Sequence, residues 1–498
     1  MPFQSHNYKI VTAFLFITQK YLYMTRFSNI KFYLLAALLL STLSAAAQQA
    51  KYVFYFIGDG MGVNQVNGTE TYYAALEGRI GVQPLCFTQF PYAALVTTYS
   101  GTNGVTDSAA AGTALATSHK SKNGALGMKA DATTPVNSIA YWAQQAGAAV
   151  GISTSVSVDH ATPASFYAHQ GARGSYYAIS KDLIKANYDF YAGSDFMQPN
   201  NPDDKSQPTI YAQCESANYT IARGYKDYQR KASKAQKIIL LQTQEASNHN
   251  RSCLPYAIDR TSKDMTLQQV TRAGINFLTK KHKDGFFLMV EGGKIDWACH
   301  SNDAGTMFRE LKDMDEAVQV AYEFYEQHPD ETLIVVTADH ETGGLSLGRG
   351  PYQLHTDLYR YQRMSVDAYS EHIKKLSEKL DNKFTWAKAE ADLKENWGFG
   401  DGVKITDKQK DRLQKAFEAM TDKKAEDKKT LYAKIDALAD AARSVMAECA
   451  LIGWQSGGHS NGYVPVFAVG VGAEQFHGQI DNTEIPLKIT HAAGWAIK

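Results

Sequence analysis

Tyr52-Val53-Phe54-Tyr55-Phe56-Ile57-Gly58-Asp59-Gly60-Met61-Gly62 is the stretch that decides how this chain folds. Its first six residues are apolar or aromatic, and the run stops at glycines with one carboxylate among them. An unbroken run of this length, closed by turn formers, is the pattern of a strand buried on both faces. Four more short apolar runs follow, at residues 150–156, 286–290, 333–337 and 464–469. Between them lie helical patterns at 107–118, 136–146, 267–280 and 304–327. Strands alternating with helices predict an α/β fold, a three-layer sandwich whose mainly parallel central sheet is flanked by helices.

Residues 350–449 break the alternation. They are rich in Lys, Glu, Asp and Ala and poor in strand formers. Residues 407–420 and 428–449 read as amphipathic helices with charged outer faces. The expectation is a helical insertion near the C-terminal third that covers one side of the sheet and takes no part in chemistry.

The N-terminal end has the three parts of a secretory signal. Residues 24–31 form a short positive region, 32–43 are almost wholly apolar, and Ala45-Ala46-Ala47 offers a small-residue cleavage site. The apolar part is shorter than the roughly 20 residues that span a bilayer. Residues 1–47 are therefore read as leader and signal peptide, with the true start at Met24 and cleavage after Ala47. Residues 48–498 are then the mature domain, secreted or periplasmic, with no membrane span after cleavage.

The chain has 498 residues, 44% of them hydrophobic, which supplies the core of a large domain. Lys+Arg and Asp+Glu each number 51. Nucleic-acid-binding domains carry a basic excess, so this balance points to a small-molecule partner instead. The five cysteines are an odd number, which leaves at least one thiol free. Cys214 and Cys253 bracket a polar stretch and are the candidates for a bridge in an oxidising compartment.

In open α/β sheets, ligands bind beyond the carboxyl ends of the strands. The first run ends at Asp59. The run at 286–290 leads into Glu291 and then Asp296-Trp297-Ala298-Cys299-His300. The run at 333–337 leads into Asp339-His340, and Gly457-Gly458-His459 precedes the run at 464. Taken singly each has a plain reading: a turn, a helix cap, a surface pair four residues apart. Together they bring Asp, Glu and His to one edge. Imidazole with carboxylate suits zinc, and oxygen ligands suit magnesium. Asp107-Ser108 opens a run of small, helix-favouring residues. That pair reads either as a plain N-cap or as an anion site in which Ser108 faces a phosphorus atom.

These segments resemble the alkaline phosphatase family. They are Asp59-Gly60-Met61-Gly62, Thr106-Asp107-Ser108-Ala109-Ala110, His160-Ala161-Thr162-Pro163-Ala164, Glu291 to Asp296, Thr337 to Gly344, and Gly458-His459. They stand in the family's order and spacing over residues 51–498. The resemblance implies hydrolysis of phosphate monoesters through a phosphoserine on Ser108, with two zinc ions and one magnesium ion. Asp296, His300 and His459 match the ligands of the first zinc. Asp59, Asp339 and His340 match those of the second. Asp59 bridges to magnesium with Thr162 and Glu291. Arg173 stands where the family carries its phosphate clamp. Asp107 is an accessory beside the nucleophile. His160 and Trp297 occupy positions that vary in the family and bear on the magnesium and phosphate pockets. Many members are homodimers, which makes a second copy a candidate partner. A sulfatase would need a Cys/Ser-x-Pro-x-Arg context, which Asp107-Ser108-Ala109-Ala110-Ala111 lacks. A phosphodiesterase of the superfamily typically uses threonine and lacks the arginine clamp.

Overall fold

The computed structural model describes residues 49–281, 284–422 and 426–496. The leader and cleavage site assigned to 1–47 lie outside the described residues. Among the described residues no helix is long and apolar enough to cross a membrane.

Among the described residues ten strands form one sheet: β1 (Tyr52–Gly58), β2 (Tyr92–Thr97), β3 (Ala149–Thr154), β4 (Phe190–Gly193), β5 (Tyr219–Arg223), β6 (Lys237–Leu241), β7 (Phe286–Gly292), β8 (Thr332–Ala338), β9 (Val464–Gly470) and β10 (Gly478–Asp481). Their order across the sheet is β10-β2-β9-β8-β1-β7-β3-β4-β6-β5. β1 lies parallel between β7 and β8, with Gly58 opposite Gly292 and Ala338. Three strand ends thus stop level at one edge. β9 runs antiparallel to both β8 and β2. Its amino end therefore reaches the edge where the parallel strands finish.

The strands expected from the apolar runs are all present. β2, β4, β5, β6 and β10 were not expected, being short or at the margins of the sheet. β2 alternates between exposed and buried positions over part of its length, so it shows no unbroken apolar run. It nevertheless leads into the loop that precedes Ser108.

The helix Ala304–Gln327 lies against the sheet and packs on the helix Leu267–Leu278. Met307, Leu311, Met314, Val318 and Ala321 recur at three- and four-residue spacing and are buried. Each large apolar side chain so buried contributes about 1.5–3 kcal/mol. Asp303 caps the helix, accepting from the Thr306 N–H at 3.1 Å.

Glu310 lies on this helix and is 5% exposed. It accepts the Ala257 N–H. Burial, and then Asp313, pushes its carboxyl up to about 7. The folded chain thus holds this proton more tightly than the unfolded chain, whose glutamates titrate near ~4.3. The contribution to stability is full below the unfolded value and is lost as pH rises through about 7. Glu310→Gln is therefore expected to melt above the parent at pH 8–9, with the gap closing below pH 5. The gap in unfolding free energy is on the order of 3 kcal/mol at most. Thermal melts across that range check it.

Residues 350–449 are helical in large part, with helices Val366–Leu380, Trp386–Trp397, Asp407–Thr421 and Ala437–Ala450. The expected helix over 428–449 starts only at Ala437, where Asp436 caps it. Before it, Lys428–Lys429 pairs antiparallel with Lys434–Ile435. Thr430 stabilises this tight hairpin, its hydroxyl accepting the Ala433 N–H at 2.9 Å. Cys214 and Cys253 do not bridge, and all five cysteines are free thiols. Cys214 lies on the helix Ile210–Ser216 beside the outermost strand β5, whereas Cys253 bridges to Val156 just beyond β3.

Candidate active site

Each strand end delivers one part of the site. β1 passes directly into Asp59. Gly60 follows with φ +74°, and a Cβ there would stand 2.8 Å from the Asp296 Cα. Glycine thus provides both the turn and the close approach. β7 carries Glu291 as its penultimate residue, and the helix Lys294–His300 then presents Asp296 and His300 one turn apart. β8 leads into Asp339 and His340. His459 and Ser460 pair antiparallel with Thr342 and Glu341, which brings His459 to the same edge just before β9.

Asp59, Ser108, Thr162, Glu291, Asp296, Asp339 and His340 are fully buried, and His300 nearly so. Three overlapping groups have ligand atoms within 4.8 Å of one another: Asp296, His340 and His459; Asp59, Asp339 and His340; Asp59, His160 and Glu291. His300 joins the first, its Nε2 lying 3.2 Å from Asp296 Oδ2 and 3.2 Å from His459 Nε2. Thr162 Oγ1 lies 3.5 Å from Asp59 Oδ2.

The histidines are oriented from behind. His300 Nδ1 donates to the Gly457 carbonyl at 2.6 Å, and His459 Nδ1 donates to the Thr106 carbonyl at 2.9 Å. Thr342 Oγ1 donates to Asp296 Oδ1 at 2.6 Å and so accepts from His340 Nδ1 at 3.2 Å. Each ring therefore turns an Nε2 lone pair inward. Two such lone pairs 3.2 Å apart, on His300 and His459, repel unless a cation lies between them. Asp59 Oδ1, Glu291 Oε1, Asp296 Oδ2 and Asp339 Oδ2 are buried with no hydrogen-bond partner. Burial, and then neighbouring carboxylates, pushes Asp59 and Asp339 well above the ordinary carboxylate range. Burial lifts Glu291 to about 7. So many carboxylates can all be charged in a dry pocket only with cations among them. The donor set fits divalent metal ions.

Ser108 is the first residue of the helix Ser108–Thr117, and its Oγ lies 3.2 Å from His340 Nε2. Asp107 caps this helix, accepting the Ala110 N–H at 3.0 Å, and holds Arg173 Nη1 at 3.1 Å. The nucleophile candidate and the guanidinium are thereby fixed to one helix start.

Comparison with known proteins agrees with this geometry. The alkaline phosphatase family model matches residues 50–195 and 248–495. The chain belongs to the alkaline phosphatase family. Alkaline phosphatase 3 of Bacillus subtilis is 31% identical over 455 residues, covering 90% of each chain. The solved cold-active alkaline phosphatase of a psychrophilic Shewanella is 28% identical, with a TM-score of 0.72 over 89% of this chain and 99% of that one. The Thermus thermophilus alkaline phosphatase is 26% identical, with a TM-score of 0.73 over 91% and 93%. Relationship at this level makes the chain a phosphomonoester hydrolase.

In this alkaline phosphatase the insertion, expected to cover the sheet, also touches the candidate site. Tyr432, in the hairpin turn, stacks on Trp297 with centroids 4.2 Å apart and planes at 10°. Its hydroxyl accepts from Arg173 Nη2 at 3.4 Å, and its ring lies edge-on to His300 at 5.4 Å. His160 Nε2 lies 3.5 Å from the same Arg173 nitrogen. Burial, and then Arg173, lowers His160 to about 3, so it is neutral at any working pH. Tyr432, Thr342 and Thr154, which donates to Glu291, escaped the sequence reading. Thr342 could have been noticed within Glu341-Thr342-Gly343-Gly344. Tyr432 carries no local signal at all.

Proposed function

We propose that this alkaline phosphatase hydrolyses phosphate monoesters to alcohol and inorganic phosphate through a phosphoserine on Ser108. The observation that carries the reading is the position of Ser108, at a helix start between the inward-facing donor cluster and Arg173.

Two zinc ions and one magnesium ion would be held by Asp296, His300 and His459, by Asp59, Asp339 and His340, and by Asp59, Thr162 and Glu291. Bound there, such cations supply Lewis acidity and charge neutralisation for both the attacking and the leaving oxygen. The remaining work falls to the chain. Asp107 occupies the amides of Ala110 and Ala111, so those of Ser108 and Ala109 are the ones a phosphoryl oxygen meets. Arg173 pairs with two non-bridging oxygens, which favours a dianionic monoester over a monoanionic diester. Burial of Ser108 keeps bulk water off the nucleophile. Trp297 and Tyr432 wall the cradle on the side of His300.

Rates on an aryl phosphate, the matching aryl diester and the aryl sulfate test the reading. The monoester is expected to lead by at least about 10³-fold in kcat/KM, which corresponds to ~4 kcal/mol. Comparable rates on the diester or sulfate reject it. Tyr432→Phe keeps the stack on Trp297 and loses the hydroxyl. It is expected to raise the inhibition constant of inorganic phosphate about 3- to 10-fold, in line with one typical hydrogen bond, here a long one that positions Arg173. Tyr432→Ala is expected to raise it further.

The leader at 1–47 supports a secreted or periplasmic enzyme. A homodimer is the assembly expected of it on family grounds.

A further inference from the structure

A cavity of about 390 Å³ lies beside the phosphate cradle, and the two share Trp297 and Tyr432 as a wall. Three polar atoms in its lining residues are buried without a hydrogen-bond partner: Gln242 Oε1, Tyr256 OH and Trp297 Nε1. Those residues are 2%, 6% and 6% exposed. Each such atom costs about 1–3 kcal/mol if left unpaired, so a polar guest that reaches them gains on binding.

The charge of the lining narrows the guest. Asp259, Asp264, Asp367 and Glu371 line the cavity; Asp259 Oδ1 accepts the Ser365 N–H at 2.9 Å, Asp264 Oδ2 accepts from Thr261 at 2.8 Å, and Glu371 pairs with Lys375 at 3.5 Å. Burial lifts Asp367 to about 6, which leaves it ionised above neutral pH. The basic groups in the lining are His249 and Lys294. Lys294 is already engaged. Its Nζ donates to Cys253 Sγ at 3.1 Å and to the Leu254 carbonyl at 3.3 Å, and it lies 3.3 Å from the Tyr256 ring centroid. Acidic oxygens and the Gln242 carbonyl accept hydrogen bonds, which calls for a cationic donor. The Trp297 N–H donates, which calls for an oxygen on the same molecule. An amino alcohol offers both.

We propose that this cavity holds the leaving group, and that it selects monoesters whose alcohol bears a primary ammonium. The proposal rests on the hydrolytic reading of the adjoining cradle. Ammonium N–H groups meet Asp367, Asp259 and Gln242 Oε1, while Trp297 Nε1 donates to the alcohol oxygen of the leaving group.

The test compares kcat/KM of the holoenzyme for 4-aminobutyl phosphate and pentyl phosphate at pH 8. The amino ester is expected to lead by about tenfold or more. Asp367→Asn and Asp259→Asn are each expected to cut that ratio at least threefold, through a lower kcat/KM for the amino ester. Equal rates on the two esters, or a ratio indifferent to both substitutions, overturn the cavity proposal while the phosphatase reading stands. An enzyme inert toward every ester overturns the phosphatase reading instead. Calorimetry with 4-aminobutan-1-ol then decides the cavity alone: binding weakened by Asp367→Asn supports it, and no binding ends it.

Discussion

Ser108→Ala is expected to lower kcat on an aryl phosphate monoester by about 10³-fold or more, with metal content unchanged. The Ser108 Oγ is buried at a helix start, 3.2 Å from His340 Nε2. Alanine removes the oxygen and leaves the helix intact, because Asp107 supplies the cap. Asp59, Asp339 and His340 keep their places, so the loss falls on covalent chemistry rather than on folding. Two measurements check this. Elemental analysis should give parent metal content, and acid-quenched parent enzyme should carry one phosphoryl group on Ser108 that the variant lacks. Near-normal turnover in the variant rejects the phosphoserine route.

Removal of divalent cations is expected to abolish activity and to lower the melting temperature by about 10 °C. Without cations, four buried carboxylate oxygens lack partners and two imidazole lone pairs face each other at 3.2 Å. A ligand present at about 1,000 times its Kd stabilises the folded state by ~4 kcal/mol per site. Two or three sites supply about 10 kcal/mol, and a chain of this size loses on the order of 1 °C per kcal/mol. Zinc with magnesium is expected to restore both turnover and melting point after chelator is removed. An enzyme that keeps full activity and an unchanged melt after exhaustive chelation refutes the metal assignment.

Much of the site is legible in the primary structure because each piece is local. Asp59 follows directly on an apolar run, and Asp339 and His340 follow another. Asp296 and His300 stand four apart on a helix. Strand burial and helix spacing are encoded over five to ten residues, and a carboxylate at a strand end is placed once the strand is placed. β2 was missed because it shows both a solvated and a packed face near the margin of the sheet. The hairpin before Ala437 was missed because Lys428, Lys429 and Lys434 suit the charged face of a helix equally well.

The amino-acid sequence by itself determined the α/β class, the strand ends, and the Asp, Glu, His and Ser residues that meet at the candidate site. Only the tertiary structure decided that β9 runs antiparallel and so returns His459 to the working edge. It also decided that backbone carbonyls of Gly457 and Thr106 aim the imidazoles, and that Tyr432 closes over Arg173. The reason is physical. Periodicity and turn chemistry act between near neighbours along the chain, whereas these contacts join residues more than 150 positions apart and exist only after the layers have packed.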